Sequence, residues 1–287
     1  MIVYISIDDT DDLTKEISTG KIAEYILKDI EDKNIGKTEN ITRHQLLLHP
    51  EVDYTSHNSS MCFTVCINKK TDLEVIKKIA VDNIIKYKSD KSDPGLCIGS
   101  LDDMKNIEEL IEYGKRAKEE VITKEKAYKT AQKCNVYLNE HGGKGIGVIG
   151  ALAGVGLRLD GNDGWYRGII FTSRMPITVK DLKDSTKIES VIDKEGIEVK
   201  ENIIIYGSNQ IKPLRRNNKI TVLVEKDSND IYHHISRGKK KKNKIKVDNC
   251  SKFVSDNDIE EFLSDDKKSC DNCLYRRLTK NGYICVI

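Results

Sequence analysis

The first twenty residues constrain the fold most, because an apolar strand, an acidic turn and the start of a helix follow one another directly. Residues 2–7 are mostly apolar and predict a buried strand. Four carboxylates then fall within five residues: Asp8, Asp9, Asp11 and Asp12. Residues 22–30 carry isoleucine, alanine and leucine at helical spacing. A strand, an acidic turn and a helix start in this order indicate an α/β arrangement with metal ligands beside a phosphate site.

The acidic turn packs like charges so densely that they repel one another unless a cation lies among them or the turn separates them. Magnesium is commonly held by one or two carboxylates together with nucleotide phosphates. We therefore predict that this acidic cluster binds a magnesium ion. The alternative is a solvated acidic turn without a ligand.

Ser18, Thr19 and Gly20 follow the acidic turn and predict a helix N-cap, since hydroxyl groups accept hydrogen bonds from the first helical amides. Helix N-termini also bind phosphate, and a hydroxyl there can accept a phosphoryl group. Ser18 and Thr19 are accordingly predicted catalytic residues. Gly20, with Thr10 and Asp12 of the turn, is assigned to ATP or phosphate binding.

A polar loop at residues 53–60 contains almost no apolar side chain. Loops rich in donors and acceptors often face ligands. We expect His57, Asn58 and Ser59 to contact phosphate, with an ordinary exposed loop as the alternative.

A glycine-rich run covers residues 142–156, in which seven of fifteen residues are glycine. It is not a Walker A motif, because Lys144 is not followed by serine or threonine. Its first half can bring backbone amides close to a small anion or a base. Its second half fits a helix packed tightly against another element. The predicted substrate-binding residues are Gly143, Lys144, Gly145, Gly147 and Gly150.

The last part of the chain is basic and carries four cysteines: Cys250, Cys270, Cys273 and Cys285. Together they could form a zinc site, although only Cys270 and Cys273 have the close spacing of a zinc knuckle. The lysines at 239–242 fit contacts to a nucleic-acid backbone or a solvated basic loop.

At 287 residues the chain can hold two domains and a small third module. No apolar run reaches the roughly 20 residues of a membrane span, and the N-terminus does not resemble a signal peptide. We therefore expect a cytoplasmic protein. Helices are predicted at 73–87, 123–138 and 178–193, and the alternation of strands and helices predicts an α/β to α+β fold.

Four motifs appear in an order that resembles one known family. They are IDDTD at 7–11, the loop at 48–54, Asp-Pro-Gly at 93–95 and the GIGVIGALA run at 145–153. Over about residues 1–170 the chain resembles the archaeal tRNA-Ile agmatidine (2-agmatinylcytidine) synthetases.

The resemblance implies a kinase-like α/β domain at 1–115 that binds ATP and magnesium, in which Asp8, Asp9 and Asp11 hold the magnesium and serve catalysis. It also implies a ferredoxin-like α+β domain at 116–207, with a small cysteine-containing module at 208–287. That family phosphorylates the C2 carbonyl of an anticodon cytidine of tRNA, and agmatine then displaces the phosphate. A threonine with a phosphoryl role in the family aligns with Ser18, next to Thr19. The glycine-rich run would form the pocket for the amine and the base.

The chain departs from the family in three places. Ile17-Ser18-Thr19 stands where the family has Cys-Thr-Thr, and His57 to Ser60 replace an Arg-Gly-Asn-Gly type sequence. After about residue 208, too little chain remains for a full barrel and zinc ribbon. These departures, with an AT-biased composition, indicate a shortened homologue of bacterial type.

We therefore expect an ATP- and magnesium-dependent, C–N bond-forming enzyme that activates a carbonyl for attack by an amine. Its acceptor would be a tRNA cytidine or a small molecule, and its amine a polyamine such as agmatine. The alternatives are a nucleotide- or RNA-binding protein without catalysis and a metal-dependent hydrolase.

Overall fold

A computed structural model describes residues 1–12, 17–54, 57–235, 250–254, 273, 275–279 and 282–285. Within these residues, six helices and seventeen strands confirm the predicted mixture of α and β structure. The chain forms two compact units. Unit 1 comprises Met1–Asp160 and the described residues from 250 onward, and unit 2 runs from Gly161 to residue 235.

Unit 1 is built on an antiparallel sheet with strand order β6-β5-β1-β4-β3, in which β2 also pairs with β4. Its strands are β1 (Ile2–Asp8), β2 (Gly36–Thr38), β3 (Thr42–Gln45), β4 (Ser59–Ile67), β5 (Gly95–Ser100) and β6 (Tyr137–Glu140). Its helices are α1 (Thr19–Asp32), α2 (Asp72–Tyr87), α3 (Ile107–Arg116), α4 (Lys124–Cys134) and α5 (Val148–Asp160).

The two faces of β1 explain how helices come to cover both sides of this sheet. Successive side chains of a strand point to opposite faces. Val3, Ile5 and Ile7 pack in a core with α1 and α2, whereas Tyr4 belongs to a second core with α3, α4 and α5. Asp8 shares the face of Tyr4, which is the face that α5 covers.

The glycines in the second half of the glycine-rich run let α5 lie close to the sheet. A Cβ atom on Gly154 would overlap the hydroxyl oxygen of Ser6 and lie 2.7 Å from that of Ser60. The predicted tight packing of this helix is thereby confirmed.

Unit 2 contains α6 (Val179–Ser185) and nine strands. The strands are β7 (Trp165–Tyr166), β8 (Ile170–Phe171), β9 (Ile177–Thr178), β10 (Ser190–Ile192), β11 (Ile204–Tyr206), β12 (Gln210–Ile211), β13 (Leu214–Arg216), β14 (Lys219–Lys226) and β15 (Tyr232–His234). Strands pair in the order β7-β13-β14-β15-β11-β9, β10 pairs with β14, and β8 pairs separately with β12. A core that includes Val191, Ile205 and Val222 holds this unit together.

The remaining described elements are a C-terminal hairpin of unit 1, β16 (Arg276–Thr279) and β17 (Gly282–Cys285). The guanidinium of Arg277 lies 5.1 Å from the centre of the Tyr54 ring, so the hairpin contacts the polar loop. The basic run at 239–242 lies outside the described residues.

Two sequence expectations differ from the structure. The helix predicted at 123–138 ends at Cys134, because Asn135 adopts a left-handed conformation (φ 54°) before β6 begins. The helix predicted at 178–193 ends at Ser185, because the apolar residues that follow enter β10 and pair with β14. The compact units divide between Asp160 and Gly161, since α5 packs on β1 and α3. The domain boundaries predicted after residues 115 and 207 stay a prediction.

None of the helices in the described part of the chain is long and apolar enough to cross a membrane.

Candidate functional site

The acidic turn lies at the carboxyl end of β1. Asp8 is the last residue of that strand, is buried, and pairs with Gly95 of β5. Asp9 then adopts a left-handed backbone conformation with a φ of 53°, which is uncommon for residues other than glycine. Such conformations are concentrated at functional sites, where the surrounding structure maintains them.

The carboxylates of the turn repel one another in a poorly solvated place. Burial raises the pKa of Asp8 well above its usual range, and the charges of Asp9 and Asp11 add to the effect. Burial also raises the pKa of Asp9 to about 7, with contributions from Asp11, Asp93 and Asp53. Burial and repulsion therefore disfavour the ionised forms of these carboxyl groups, and a bound cation would favour them.

The first turn of α1 is hydrogen-bonded to the acidic turn. Ser18 is the N-cap, and its Oγ accepts a hydrogen bond of 3.2 Å from the Lys21 amide, which confirms the predicted cap. The Thr19 amide donates to Asp11 Oδ2 at 3.3 Å, and the Thr19 Oγ1 lies 3.1 Å from Thr10 Oγ1. The acidic turn and the helix start thus form one structural unit.

The residues of this unit differ in exposure. Thr19, Thr10 and Gly20 are buried, whereas Ser18 and Asp12 are half-buried. Ser18 is therefore the more accessible of the two predicted catalytic hydroxyls. Their catalytic role stays a prediction.

The first half of the glycine-rich run wraps around Asp93 of the turn before β5. The Asp93 Oδ1 accepts hydrogen bonds from the amides of Lys144 and Gly145, the second at 3.2 Å. The Gly147 amide donates to the Asp93 carbonyl at 2.9 Å. Three amides predicted to face a ligand thus bind this aspartate. Gly143 and Gly145 have φ values of 56° and 69°, which only glycine adopts easily.

The start of α5 covers Asp8. A Cβ atom on Gly150 would overlap the Asp8 carboxylate, and one on Gly147 would lie 2.9 Å from the Asp8 carbonyl. Only residues without a side chain fit at these two positions. Gly147 and Gly150 are therefore brought to the acidic turn.

The polar loop has a structural role at two of its three predicted site residues. Asn58 donates through Nδ2 to the Leu47 carbonyl at 2.7 Å, and the Ser59 Oγ accepts from Arg43 Nε at 2.9 Å. These bonds connect the start of β4 with β3 and the segment that follows it. His57 is half-buried, and the phosphate contact predicted for these three residues stays a prediction.

Among the described residues, no three His, Cys, Asp or Glu side chains are arranged to hold a metal ion. Cys250 is half-buried, Cys273 buried and Cys285 exposed, while Cys270 lies outside the described residues. The zinc site stays a prediction.

Two carboxylates near the turn, Asp53 and Asp93, were not predicted as site residues. Both raise the pKa of Asp9. Asp93 precedes Pro94 and Gly95, a combination typical of turns, and its contact with residues 144–147 is not visible in the sequence. Asp53 is the first residue of the polar loop, and its position there is the signal that the sequence offers.

Neither a protein-family profile nor a curated protein matches the sequence. Solved structures are similar to it. A tRNA fluorescent labeling enzyme is 25% identical with a TM-score of 0.46, over 54% of this chain and 36% of that one. Apo TiaS, the tRNAIle2 agmatidine synthetase, is 24% identical with a TM-score of 0.47, over 60% of this chain and 39% of that one.

The TiaS–tRNA(Ile2)–ATP complex aligns with a TM-score of 0.50 at 19% identity, over 75% of this chain and 57% of that one. The chain thus spans between 36% and 57% of the length of these three proteins. At such identity the likeness concerns the fold. The resemblance to tRNA-Ile agmatidine synthetases that the motifs indicated is confirmed at this level: the chain has a TiaS-like fold.

Proposed function

We propose that this protein is an ATP- and magnesium-dependent enzyme that phosphorylates a carbonyl and so activates it for attack by an amine. The proposed acceptor is a tRNA cytidine and the proposed amine is agmatine or a similar polyamine. The observation that carries the proposal is the hydrogen-bonded unit of acidic turn and α1 start, with two carboxyl groups of raised pKa at the end of β1.

The fold supports the choice of substrates. A protein of this fold has been solved with tRNA(Ile2) and ATP. The motifs shared with that family, at 7–11 and 145–153, coincide with the two segments that meet at Asp8. The acidic turn and the glycine-rich helix α5 therefore lie against each other, as the proposed activity requires.

The residues at this turn fit a magnesium ion. Their donors are hard carboxylate oxygens, and magnesium takes only one or two of these from a protein when phosphates and water supply the rest. Asp8, Asp9 and Asp11 would supply these oxygens and balance the charge of the ion. When bound, the ion would neutralise charge on the phosphoryl group being transferred.

The chain's own groups have positioning roles. The N-terminus of α1 presents its positive end beside the acidic turn, where a phosphate would lie. Ser18, the more accessible hydroxyl, contacts that phosphate. The buried pair of Thr10 and Thr19 keeps the turn against the helix.

The reaction has two steps. The carbonyl oxygen forms a bond to phosphorus as the bond to the nucleotide leaving group breaks. The amine nitrogen then forms a bond to the carbonyl carbon, and phosphate leaves with the former carbonyl oxygen. Catalysis of this kind depends on positioning and charge stabilisation more than on a strong base.

The test is ATP turnover with magnesium, with and without tRNA and agmatine. Wild type should release phosphate, and Asp8→Asn should be slower by at least about 100-fold, the size of effect seen when one electrostatic group is removed from an active site. Asp90→Asn is the matched control, because Asp90 is an exposed aspartate in the loop that contains Asp93.

Other outcomes would point elsewhere. ATP binding without turnover under every condition would favour a non-catalytic binding protein. Cleavage of phosphoesters without ATP would favour a hydrolase. Wild type that neither binds nor turns over ATP would refute the proposal.

A further inference from the structure

Asp93 connects two segments that are far apart in the sequence. Its side chain accepts hydrogen bonds from amides 51 and 52 residues further along the chain, those of Lys144 and Gly145. Its backbone carbonyl accepts a third, from Gly147. One residue therefore determines the path of the chain through the first half of the glycine-rich run.

The neighbours of Asp93 strengthen this connection. The His141 amide donates to the Pro94 carbonyl at 2.8 Å. A Cβ atom on Gly95 would overlap the backbone of Gly147, so the two segments are in direct contact there. Gly95 in turn pairs with Asp8 across the sheet.

The connection determines where α5 begins. The helix starts at Val148, one residue after the last of the three hydrogen bonds to Asp93. Its first turn carries Gly150, which lies against the Asp8 carboxylate. A displacement of residues 144–147 would therefore be transmitted to Asp8 through the start of the helix.

We infer that Asp93 is a positioning residue of the candidate site, which holds the glycine-rich loop and the start of α5 in place against Asp8. Its role is that of a hydrogen-bond acceptor for the amides of Lys144 and Gly145. The inference rests on the proposed function for its catalytic consequence. The structural part of it can be tested without ATP.

Two substitutions separate the acceptor role of Asp93 from its charge. Asp93→Asn keeps a side-chain oxygen that can accept from both amides but removes the negative charge. Asp93→Ala removes both. Asp90→Asn and Asp90→Ala are the matched controls, because they change an exposed aspartate of the same loop.

The first measurement is amide hydrogen exchange of the magnesium-free protein. In Asp93→Ala, the amides of Lys144 and Gly145 should exchange at least about 10-fold faster than in wild type, since protection tracks local opening. The amides of β1 and β4 should remain protected, which shows that the protein is folded. In Asp93→Asn the two loop amides should stay within about 3-fold of wild type.

The second measurement is magnesium-dependent ATP turnover. Asp93→Ala should lower kcat by about 10-fold or more with KM for ATP changed by less than about 3-fold, the pattern expected when an interaction needed in the transition state is lost. Asp93→Asn should recover most of kcat. Turnover is expressed per folded molecule, so that a smaller folded fraction does not count as a lower kcat.

The outcomes are distinguishable. Unchanged exchange in Asp93→Ala, or exchange in Asp93→Asn as fast as in Asp93→Ala, would overturn the inference. So would faster loop exchange combined with wild-type kcat. If wild type shows no ATP turnover at all, the proposed function fails, while the exchange data still decide whether Asp93 holds the loop.

Discussion

An ionisable side chain is buried near each end of α5, and the surroundings of the two side chains differ. Near the end of the helix, Arg158 is completely buried, yet its guanidinium donates to Thr42 Oγ1 at 2.8 Å, the Asn40 carbonyl at 3.1 Å and Glu39 Oε2 at 3.0 Å. Near its start, the buried Asp8 has other carboxylates as its charged neighbours. The neighbours of Arg158 stabilise its charged form, whereas burial and the nearby carboxylates disfavour the charged form of Asp8.

Under the proposed function, the difference separates a side chain that stabilises the fold from one that binds a ligand. A buried ion is tolerated when hydrogen bonds and an opposite charge replace its hydration. Arg158 meets that condition within unit 1. Asp8 and Asp9 have carboxylates as their charged neighbours in the described part of the chain. Ionisable groups in such surroundings are concentrated at functional sites, where some stability is lost in favour of activity.

Substitution of Arg158 should have the largest effect on stability. Arg158→Met should lower the free energy of unfolding by about 2 to 3 kcal/mol, because Thr42 and Asn40 lose buried hydrogen-bond donors. ATP turnover per folded molecule should change by less than about 3-fold, since Arg158 is not at the acidic turn. Urea unfolding and turnover assays measure the two effects.

Arg116→Met is the matched control for this substitution. Arg116 is partly exposed and pairs with Glu120 on the protein surface. Its loss should change the free energy of unfolding by no more than about 0.5 kcal/mol. If the two substitutions lowered the free energy of unfolding equally, the buried contacts of Arg158 would contribute no more than a surface ion pair does.

The opposite end of α5 is tested with Gly150→Ala. The new methyl group would overlap the Asp8 carboxylate, whereas in Gly154→Ala it would meet the hydroxyls of Ser6 and Ser60. Overpacking costs about 1 to 3 kcal/mol, and the better helix propensity of alanine returns about 1 kcal/mol, so both variants should lose about 1 kcal/mol.

Only the substitution at Gly150 should affect the proposed chemistry. Gly150→Ala should reduce ATP turnover by about 10-fold, because a small displacement of a catalytic group has a large effect on rate. Gly154→Ala, one turn further along, should stay within about 3-fold of wild type. Equal losses of turnover in the two variants would argue against a role for Asp8.

The elements that local patterns encode could be predicted from the sequence. The apolar run of β1, the Ser18 cap and the spacing of α1 depend on neighbouring residues, and the structure contains them at the predicted places. The helix predicted at 178–193 shows the limit. The apolar residues in its second half suit a strand as well as a helix. Their pairing with β14, Val191 opposite Val222, makes them a strand.

The candidate site shows the same division. The acidic turn lies within five residues and was visible in the sequence. The contact between Asp93 and the glycine-rich loop joins residues about fifty positions apart, which no periodicity can indicate. The sequence therefore indicated which residues have unusual chemistry, while the fold determined which of their amides and carboxylates meet.

The last test removes the charge of Asp9 by Asp9→Asn. Asparagine tolerates the left-handed backbone at this position, so the substitution removes repulsion without adding backbone strain. In magnesium-free buffer at pH 8 the variant should be more stable than wild type by about 1 to 2 kcal/mol. One pKa unit corresponds to about 1.4 kcal/mol, and counter-ions relieve part of the shift.

Thermal unfolding with a chelator present measures this gain, and Asp90→Asn should show none. The same variant should lose ATP turnover, so that stability rises as activity falls. A variant that is less stable than wild type would mean that Asp9 is compensated within the fold, as Arg158 is. The contrast between the two ends of α5 would then no longer identify the acidic turn as a ligand site.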